Sequence, residues 1–299
     1  MLDYPALAAL AAVVRTGSFD AAADTLAVTP SAISQRVKGL EERLGIPLVV
    51  RTTPCQATEA GARLVAHFER VSLLEHDMFD EGAAWSSAFG GSRPTLKLAV
   101  NSDSLATWMP AAAARFASGS TTTLTLILDD ENRTADWLRT GEVIGAITTS
   151  SKAVTGCHSI ALGAMRYIAI ASPAFRDRYF AAGVTAKRLA DAPVLRFDPH
   201  DDLQKRWVSQ AVGSSVEGPT HWTPSTQGML DFTLAGVAWS LTPEPLAAPL
   251  LASGHLVHLK RDVSLDVPLF WQHLRITART LDALTKAVRE ESRNWLVRG

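Results

Sequence analysis

Hydroxyl, amide and cationic side chains are concentrated in the ten residues Thr29-Pro-Ser-Ala-Ile-Ser-Gln-Arg-Val-Lys. Thr29 is a good helix N-cap, and Pro30 suits the first helical position, where its missing N–H costs no hydrogen bond. The start of such a helix carries partial positive charge and unpaired N–H groups that suit a phosphate. Gln35 can pair bidentately with adenine, Ser31 or Ser34 can reach a phosphate or a base edge, and Arg36 and Lys38 are phosphate partners. Downstream, Leu48–Val50, Arg51–Pro54 and Gln56–Thr58 read as a small hairpin with Arg51 at its tip, placed to enter a minor groove. The expected DNA-binding set is therefore Thr29, Pro30, Ser31, Ser34, Gln35, Arg36, Lys38 and Arg51.

Other chemistry finds little support. No Cys/His cluster has metal-ligand spacing, and no Ser-His-Asp or Cys-His arrangement has a convincing neighbourhood. Cys157, beside His158, is the one nucleophile candidate; together with Cys55 it reads as a free thiol in a reducing compartment. The expectation is no catalytic residue, no metal and no cofactor. The formal net charge of the 299 residues is −1, so no global basic field marks a nucleic-acid binder. Within residues 1–57, Arg15, Arg36, Lys38, Arg43 and Arg51 are balanced by Asp3, Asp20, Asp24, Glu41 and Glu42. No apolar run has the length of a membrane span, and Asp3 and Pro5 fall where a signal peptide would need neither, so a cytoplasmic protein without membrane contact is expected.

The elements that must position these residues can be read from periodicity and capping. Leu7, Leu10, Ala11 and Val14 share one helical face, ended by Gly17. Ser18 caps a short, alanine-rich second helix, Phe19–Leu26, followed by a tight turn at Ala27–Val28. In the third helix Ile33, Val37, Leu40 and Leu44 form the expected buried stripe. A short helix, a tight turn and a capped helix bearing polar groups make a helix-turn-helix, and the hairpin supplies its wing. From Thr58 a long helix runs to about Trp85, with Leu64, Phe68, Val71, Leu74 and Met78 repeating at steps of four and three. That spacing makes a seam for a partner helix, the alternative being packing onto its own domain. Phe89–Pro94 reads as a linker. Beyond it, strand-like Leu96–Val100, Leu124–Leu128 and Val143–Thr148 alternate with helices near 105–117 and 133–141. Tyr167–Ala171, Val194–Phe197, Val237–Leu241 and Pro268–Gln272 read as further strands, and Arg279–Val297 as a closing helix. This is an α/β rhythm of two small lobes. The domains expected are 1–58, a winged helix-turn-helix; 59–91, a linker helix; and 92–299, in which lobe I takes about 92–160 and 269–299 and lobe II about 161–268.

The segments Phe19-Asp-Ala-Ala-Ala-Asp-Thr-Leu, Val28-Thr-Pro-Ser-Ala-Ile-Ser-Gln-Arg-Val-Lys-Gly-Leu-Glu, Leu44-Gly-Ile-Pro-Leu-Val-Val-Arg and Thr58-Glu-Ala-Gly resemble the signature of LysR-type transcriptional regulators. The likeness runs through the whole module without a gap, and the size and downstream rhythm extend it over the chain. It implies an α/β fold overall: an N-terminal winged helix-turn-helix, a dimerising linker helix, and a two-lobed, periplasmic-binding-protein-like effector domain. It implies double-stranded operator DNA as a partner and a homodimer or homotetramer joined through the linker helix, with RNA polymerase a further candidate partner. Two modules reading half-sites about one helical turn apart would supply the phosphate contacts that one module lacks.

Asn101-Ser-Asp-Ser-Leu-Ala-Thr-Trp, Asp129-Asp-Glu-Asn-Arg-Thr, Thr140-Gly-Glu-Val-Ile-Gly-Ala-Ile, Ala192-Pro-Val-Leu-Arg-Phe-Asp and Leu269-Phe-Trp-Gln are similar to a narrower subgroup, the lysine- and arginine-export activators of the LysG and ArgP type. The implied effector is a basic amino acid, lysine or arginine foremost, and histidine a further candidate. Ser102 and Ser104, at the start of a helix, suit its carboxylate; Asp130, Glu131 and Asp198 suit its cations. Asp103 could cap the helix or bind an ammonium, Trp108 could wall the aliphatic stem, and Thr148 closes the set at a strand end. Asp103 as a plain cap, Asp129–Glu131 as a solvated loop and Trp108 as core are the alternatives, and His200 and Asp201 are expected on a surface turn. At Ser225-Thr-Gln-Gly this chain departs from the subgroup, which carries an acidic residue nearer Gln227. A regulator answering another small metabolite, an enzyme using the two-lobed cleft, and a DNA protein without a sensor are the competing functions.

Overall fold

The computed structural model describes residues 2–79, 94–128 and 131–298. Its first three helices are α1 (Tyr4–Thr16), α2 (Phe19–Leu26) and α3 (Pro30–Leu44). Each begins on a side chain that accepts from an otherwise unpaired backbone N–H: Asp3 from Ala6, Ser18 from Ala21, Thr29 from Ala32. Ala27 ends α2 in the left-handed region at φ 52°, which makes the tight turn into α3. Leu7, Leu10 and Val13 of α1 pack with Ala22 and Ala23 of α2 and with Ile33, Val37 and Leu40 of α3. The expected fourth member of the α3 stripe, Leu44, is exposed instead, because Gly45 ends the helix beyond the edge of this small core. The wing forms as β1 (Val49–Val50) paired antiparallel with β2 (Gln56–Ala57).

Helix α4 (Glu59–Phe79) carries the chain onward; the linker at 89–93 and the helical stretch read to Trp85 lie outside the described residues. Its apolar side chains do not make one uniform seam. Leu64 and Phe68 pack on the helix-turn-helix core, Leu73 is buried in the core of the following domain, and Leu74 (43%) and Met78 (62%) stay exposed. One helix is thus rooted in two cores at different points along its length.

The remaining chain adds β3 (Thr95–Val100), α5 (Ser102–Ala106), α6 (Met109–Ala117), β4 (Thr123–Leu128), α7 (Glu131–Thr140), β5 (Gly145–Thr148) and β6 (Cys157–Ala171). Then come α8 (Pro173–Phe180), α9 (Ala186–Asp191), β7 (Val194–Arg196), α10 (Leu203–Val212), β8 (Thr220–Trp222), α11 (Thr226–Leu234), β9 (Ser240–Pro243), α12 (Glu244–Ala252), β10 (Val257–His258), β11 (Ser264–Leu274) and α13 (Arg279–Trp295). The single helix expected near 105–117 is broken at Thr107–Trp108, where Thr107 leaves helical geometry and Pro110 starts a new first turn.

The sheet runs β10-β6-β11-β5-β3-β4, with β9 also on β6. β3 lies parallel between β4 and β5, whereas β5, β11 and β6 pair antiparallel. The two long strands β6 and β11 run side by side from Cys157↔Leu274 to Ile168↔Ser264 and so pass through both lobes. What reads in sequence as two short strands, Tyr167–Ala171 and Pro268–Gln272, is one end or the middle of these ladders. Gly145 is required where they meet β5, since a Cβ there would fall 2.2 Å from the fully buried Trp271 ring.

Candidate functional site

The recognition face of α3 follows from its period. Ile33, Val37 and Leu40 turn inward, and Ser31, Gln35 and Lys38 are exposed on the opposite side with Ser34 half-buried among them. Positions 31, 34, 35 and 38 are one or two helical turns apart, so a single groove can meet all four. Arg36 is half-buried beside this stripe. Thr29 Oγ1 both caps Ala32 N at 3.2 Å and pairs with Ser31 Oγ at 3.0 Å, which fixes the hydroxyls at the helix start. Lys38 is held loosely by Glu42, 3.5 Å away and exposed, a pair that costs little to exchange for a phosphate. Arg51 is exposed just past β1, its guanidinium 5.1 Å from the Phe19 ring. A cation–π contact of this kind steers the side chain without consuming its donors.

A second feature is a cleft of about 910 Å³ between the lobes. Ser102 and Asp103 of α5 face Tyr167 of β6, Thr226 of α11, and the loop between β7 and α10 that carries Asp198, His200, Asp201 and Asp202. Leu128, Phe197, Met229, Leu241 and Val267 supply apolar wall, and Arg206 is the guanidinium among the lining residues. Four carboxylates against one guanidinium make the cleft anionic.

The loop owes its shape to its own carboxylates. Asp198 Oδ1 accepts from His200 N at 2.6 Å and Asp201 N at 3.0 Å; Asp201 accepts from Phe197 N at 3.1 Å and Leu203 N at 3.0 Å. Arg196 donates to the Asp201 carbonyl and lies 5.0 Å from the Trp222 ring. The expected surface turn is present, with His200 exposed on it, and it forms part of the cleft wall together with Asp201. Asp103 accepts from Thr226 Oγ1 at 2.5 Å and from the Tyr167 hydroxyl. Burial pushes its carboxyl above the usual range, the two hydroxyl donors pull it back, and Asp201 adds to the rise. Tyr167 is pushed well up by burial, then by the neighbouring Asp103.

Of the expected effector residues, Ser102, Asp103 and Asp198 come together in this cleft. Asp103 does not cap α5; Asn101 does, accepting from Ser104 N at 3.0 Å. Ser104 and Trp108 are fully buried and are not lining residues; Trp108 packs in the core with Met109 and Phe116. Thr149 lines the cleft, and Thr148 accepts from Ser150 N beside it. Asp130 lies outside the described residues; Glu131 opens α7, and its side chain is likewise outside them. Sequence reading missed Tyr167, Thr226 and Asp201. Tyr167 was hidden in what read as an ordinary strand, and only the Ser225 cap hinted that Thr226 opens a helix at the cleft. Gln272 is structural: it donates to Ser150 and Lys152 carbonyls at 3.0 and 2.9 Å and accepts from Val154 N at 2.9 Å. Among the described residues no metal-binding cluster occurs and no helix is long and apolar enough to cross a membrane.

A winged helix-turn-helix tied by one helix to a two-lobed domain with a ligand-sized cleft defines a DNA-binding transcriptional regulator with a sensing domain. Residues 5–62 match the bacterial regulatory helix-turn-helix protein, lysR family, and residues 89–293 match the LysR substrate binding domain. The chain belongs to the LysR family. It is 42% identical to the transcriptional regulator ArgP of Pseudomonas fluorescens (strain Pf0-1) over 99% of each chain. The crystal structure of ArgP from Mycobacterium tuberculosis superposes with a TM-score of 0.80 at 41% identity, covering 100% of both chains. Full-length LysG from Corynebacterium glutamicum with bound effector arginine superposes with a TM-score of 0.68 at 38% identity, over 99% of this chain and 100% of that one. These relatives are transcriptional regulators and not enzymes.

Proposed function

We propose that this regulator senses a basic amino acid, lysine or arginine, in the interlobe cleft and so controls transcription of an amino-acid exporter gene. The observation that carries this reading is the anionic lining, Asp103, Asp198, Asp201 and Asp202 facing a cavity large enough for an amino acid. A dibasic amino acid brings two cations and one carboxylate, opposite in the sign of its net charge to four carboxylates and one guanidinium. Arg206 suits the α-carboxylate, as does the Ser102 hydroxyl once it exchanges its bond to Thr226, and the aspartates suit the ammonium and the side-chain cation. Asp130 and Glu131, following β4, remain part of the proposed set, as does Thr148 at the end of β5. The relative bound to arginine supports the same ligand class.

The DNA-reading set is Thr29, Pro30, Ser31, Ser34, Gln35, Arg36, Lys38 and Arg51, acting on operator DNA in the cytoplasm. The proposed division is 1–58, 59–91 and 92–299. The exposed Leu74 and Met78 support pairing of α4 with a second copy, giving a dimer or tetramer whose two modules read two half-sites. RNA polymerase is the further partner that such control of transcription would engage. Selection of bound fragments from a random DNA pool, followed by footprinting with and without lysine, arginine or histidine, tests the reading. The expected result is a two-half-site operator whose footprint changes with the amino acid; binding without sequence preference, or a footprint that no amino acid alters, contradicts it.

A further inference from the structure

Three hydrogen bonds cross the lobe junction at one point. Ser102 and Asp103 stand on α5, directly after β3 of the first lobe; Tyr167 and Thr226 stand on β6 and α11 of the second. The Tyr167 hydroxyl donates to Asp103 Oδ2, Thr226 Oγ1 donates to Asp103 Oδ1 at 2.5 Å, and Thr226 Oγ1 also pairs with Ser102 Oγ at 2.8 Å. Tyr167 and Thr226 are only 5% and 4% exposed, so each hydroxyl must find its partner inside the protein, and the opposite lobe provides it. Both oxygens of the Asp103 carboxylate are engaged from the same lobe, which fixes its orientation as well as its position. A buried hydroxyl paired with a carboxyl oxygen is costly to separate, and here such bonds join α5 to β6 and α11.

We propose that Tyr167 and Thr226 are positioning residues that clasp Asp103 across the junction, holding the lobes together before any ligand arrives and setting the carboxylate toward the cleft. The clasp rests on the reading of the cleft as the ligand site. It makes ligand entry and lobe closure parts of one equilibrium, because a cation bound at Asp103 meets a group that already bridges both lobes.

Full-length Tyr167→Phe, Thr226→Val and Thr226→Ser proteins, compared with wild type by hydrogen exchange in the absence of ligand, test the clasp. Loss of one buried hydrogen bond should speed exchange in Ser102–Ala106 and Thr226–Leu234 by about tenfold in the Phe and Val variants. Thr226→Ser, which keeps the hydroxyl, should exchange as wild type does. Wild-type exchange in both Phe and Val variants, equal acceleration throughout the chain, or a Ser variant as fast as Val would each overturn the clasp. Titration of the same wild-type sample with arginine separates the two readings: absence of binding sinks the proposed ligand, while the exchange pattern alone decides the clasp.

Discussion

Asp77, near the described end of α4, caps a helix two hundred residues away: its Oδ2 accepts from Thr280 N at 3.2 Å. The same carboxylate also takes the Thr280 hydroxyl, and Arg279 donates to the Asp77 carbonyl. Helix α13 has no cap of its own, since its N-cap position is Ala278. Lys97 of β3 reaches Glu69 of α4 at 3.0 Å, and Leu73 is buried between these contacts. The lower half of α4 is therefore part of the sensing domain, whereas its upper half, through Val65 and Phe68, is part of the DNA-binding core. One continuous helix thus contacts both the first lobe and the helix-turn-helix.

Replacing this borrowed cap should be measurable. Asp77→Ala is expected to cost about 1 kcal/mol, the usual value of an N-cap side chain. Urea unfolding of the full chain reads it as a lower midpoint. An unchanged midpoint would show that the bonds to Thr280 contribute nothing.

The junction of α4 with the wing is tighter still. A Cβ at Gly61 would lie 2.0 Å from the Leu48 carbonyl oxygen, which is backbone and cannot step aside. Gly61→Ala should destabilise by about 1–3 kcal/mol through overpacking and weaken DNA binding in parallel. Thermal unfolding and fluorescence anisotropy check the two effects, and a variant as stable as wild type would mean the backbone there moves freely.

On the DNA side, Gln35→Ala should relax base preference at one operator position by about 1–3 kcal/mol, and Arg51→Ala should lower the salt slope by about one unit with little change in preference. Competition binding against single-base operator variants at several salt concentrations separates these. Wild-type behaviour of both mutants would rule out the docking of α3 and the wing described above.

His273 gives a pH signature. Burial, with the nearby His158 adding to it, holds its pKa below the ordinary value of 6.5, against the hydrogen bond to Leu274 and the charge of Asp282, which pull it up. The folded state thus favours the neutral ring, so stability is fully present above about pH 6.5 and is lost as pH falls through the depressed folded value. Denaturant stability measured from pH 7.5 down to 5 should decline for wild type and decline less for His273→Asn. Equal slopes would exclude His273 as the cause.

Much of this molecule could be read before its structure. Capping and period gave α2 and α3, because Ser18 and Thr29 act locally and their partners are three residues away; α1 was legible from its apolar face and Gly17, and its Asp3 cap was found only in the structure. The cleft was only partly legible. Ser102, Asp103 and Asp198 follow strand ends, a local signal, but Tyr167 and Thr226 reach Asp103 across 64 and 123 residues of chain, and nothing in their own neighbourhoods marks the meeting. Trp108 shows the converse: a residue next to the site in sequence is carried into the core by the break between α5 and α6. The seam of α4 was legible only in part for the same reason: a heptad-like spacing does not say that Leu64 and Phe68 enter a core of their own chain while Leu74 and Met78 stay exposed.

The cleft is proposed to read a basic side chain by its charge. Calorimetric titration of the full-length protein with arginine and with citrulline, which keeps the shape and loses the cation, addresses it directly. Saturable binding of arginine with citrulline weaker by about tenfold or more is the predicted result. Equal affinity for the two, or no binding of arginine or lysine, would contradict it.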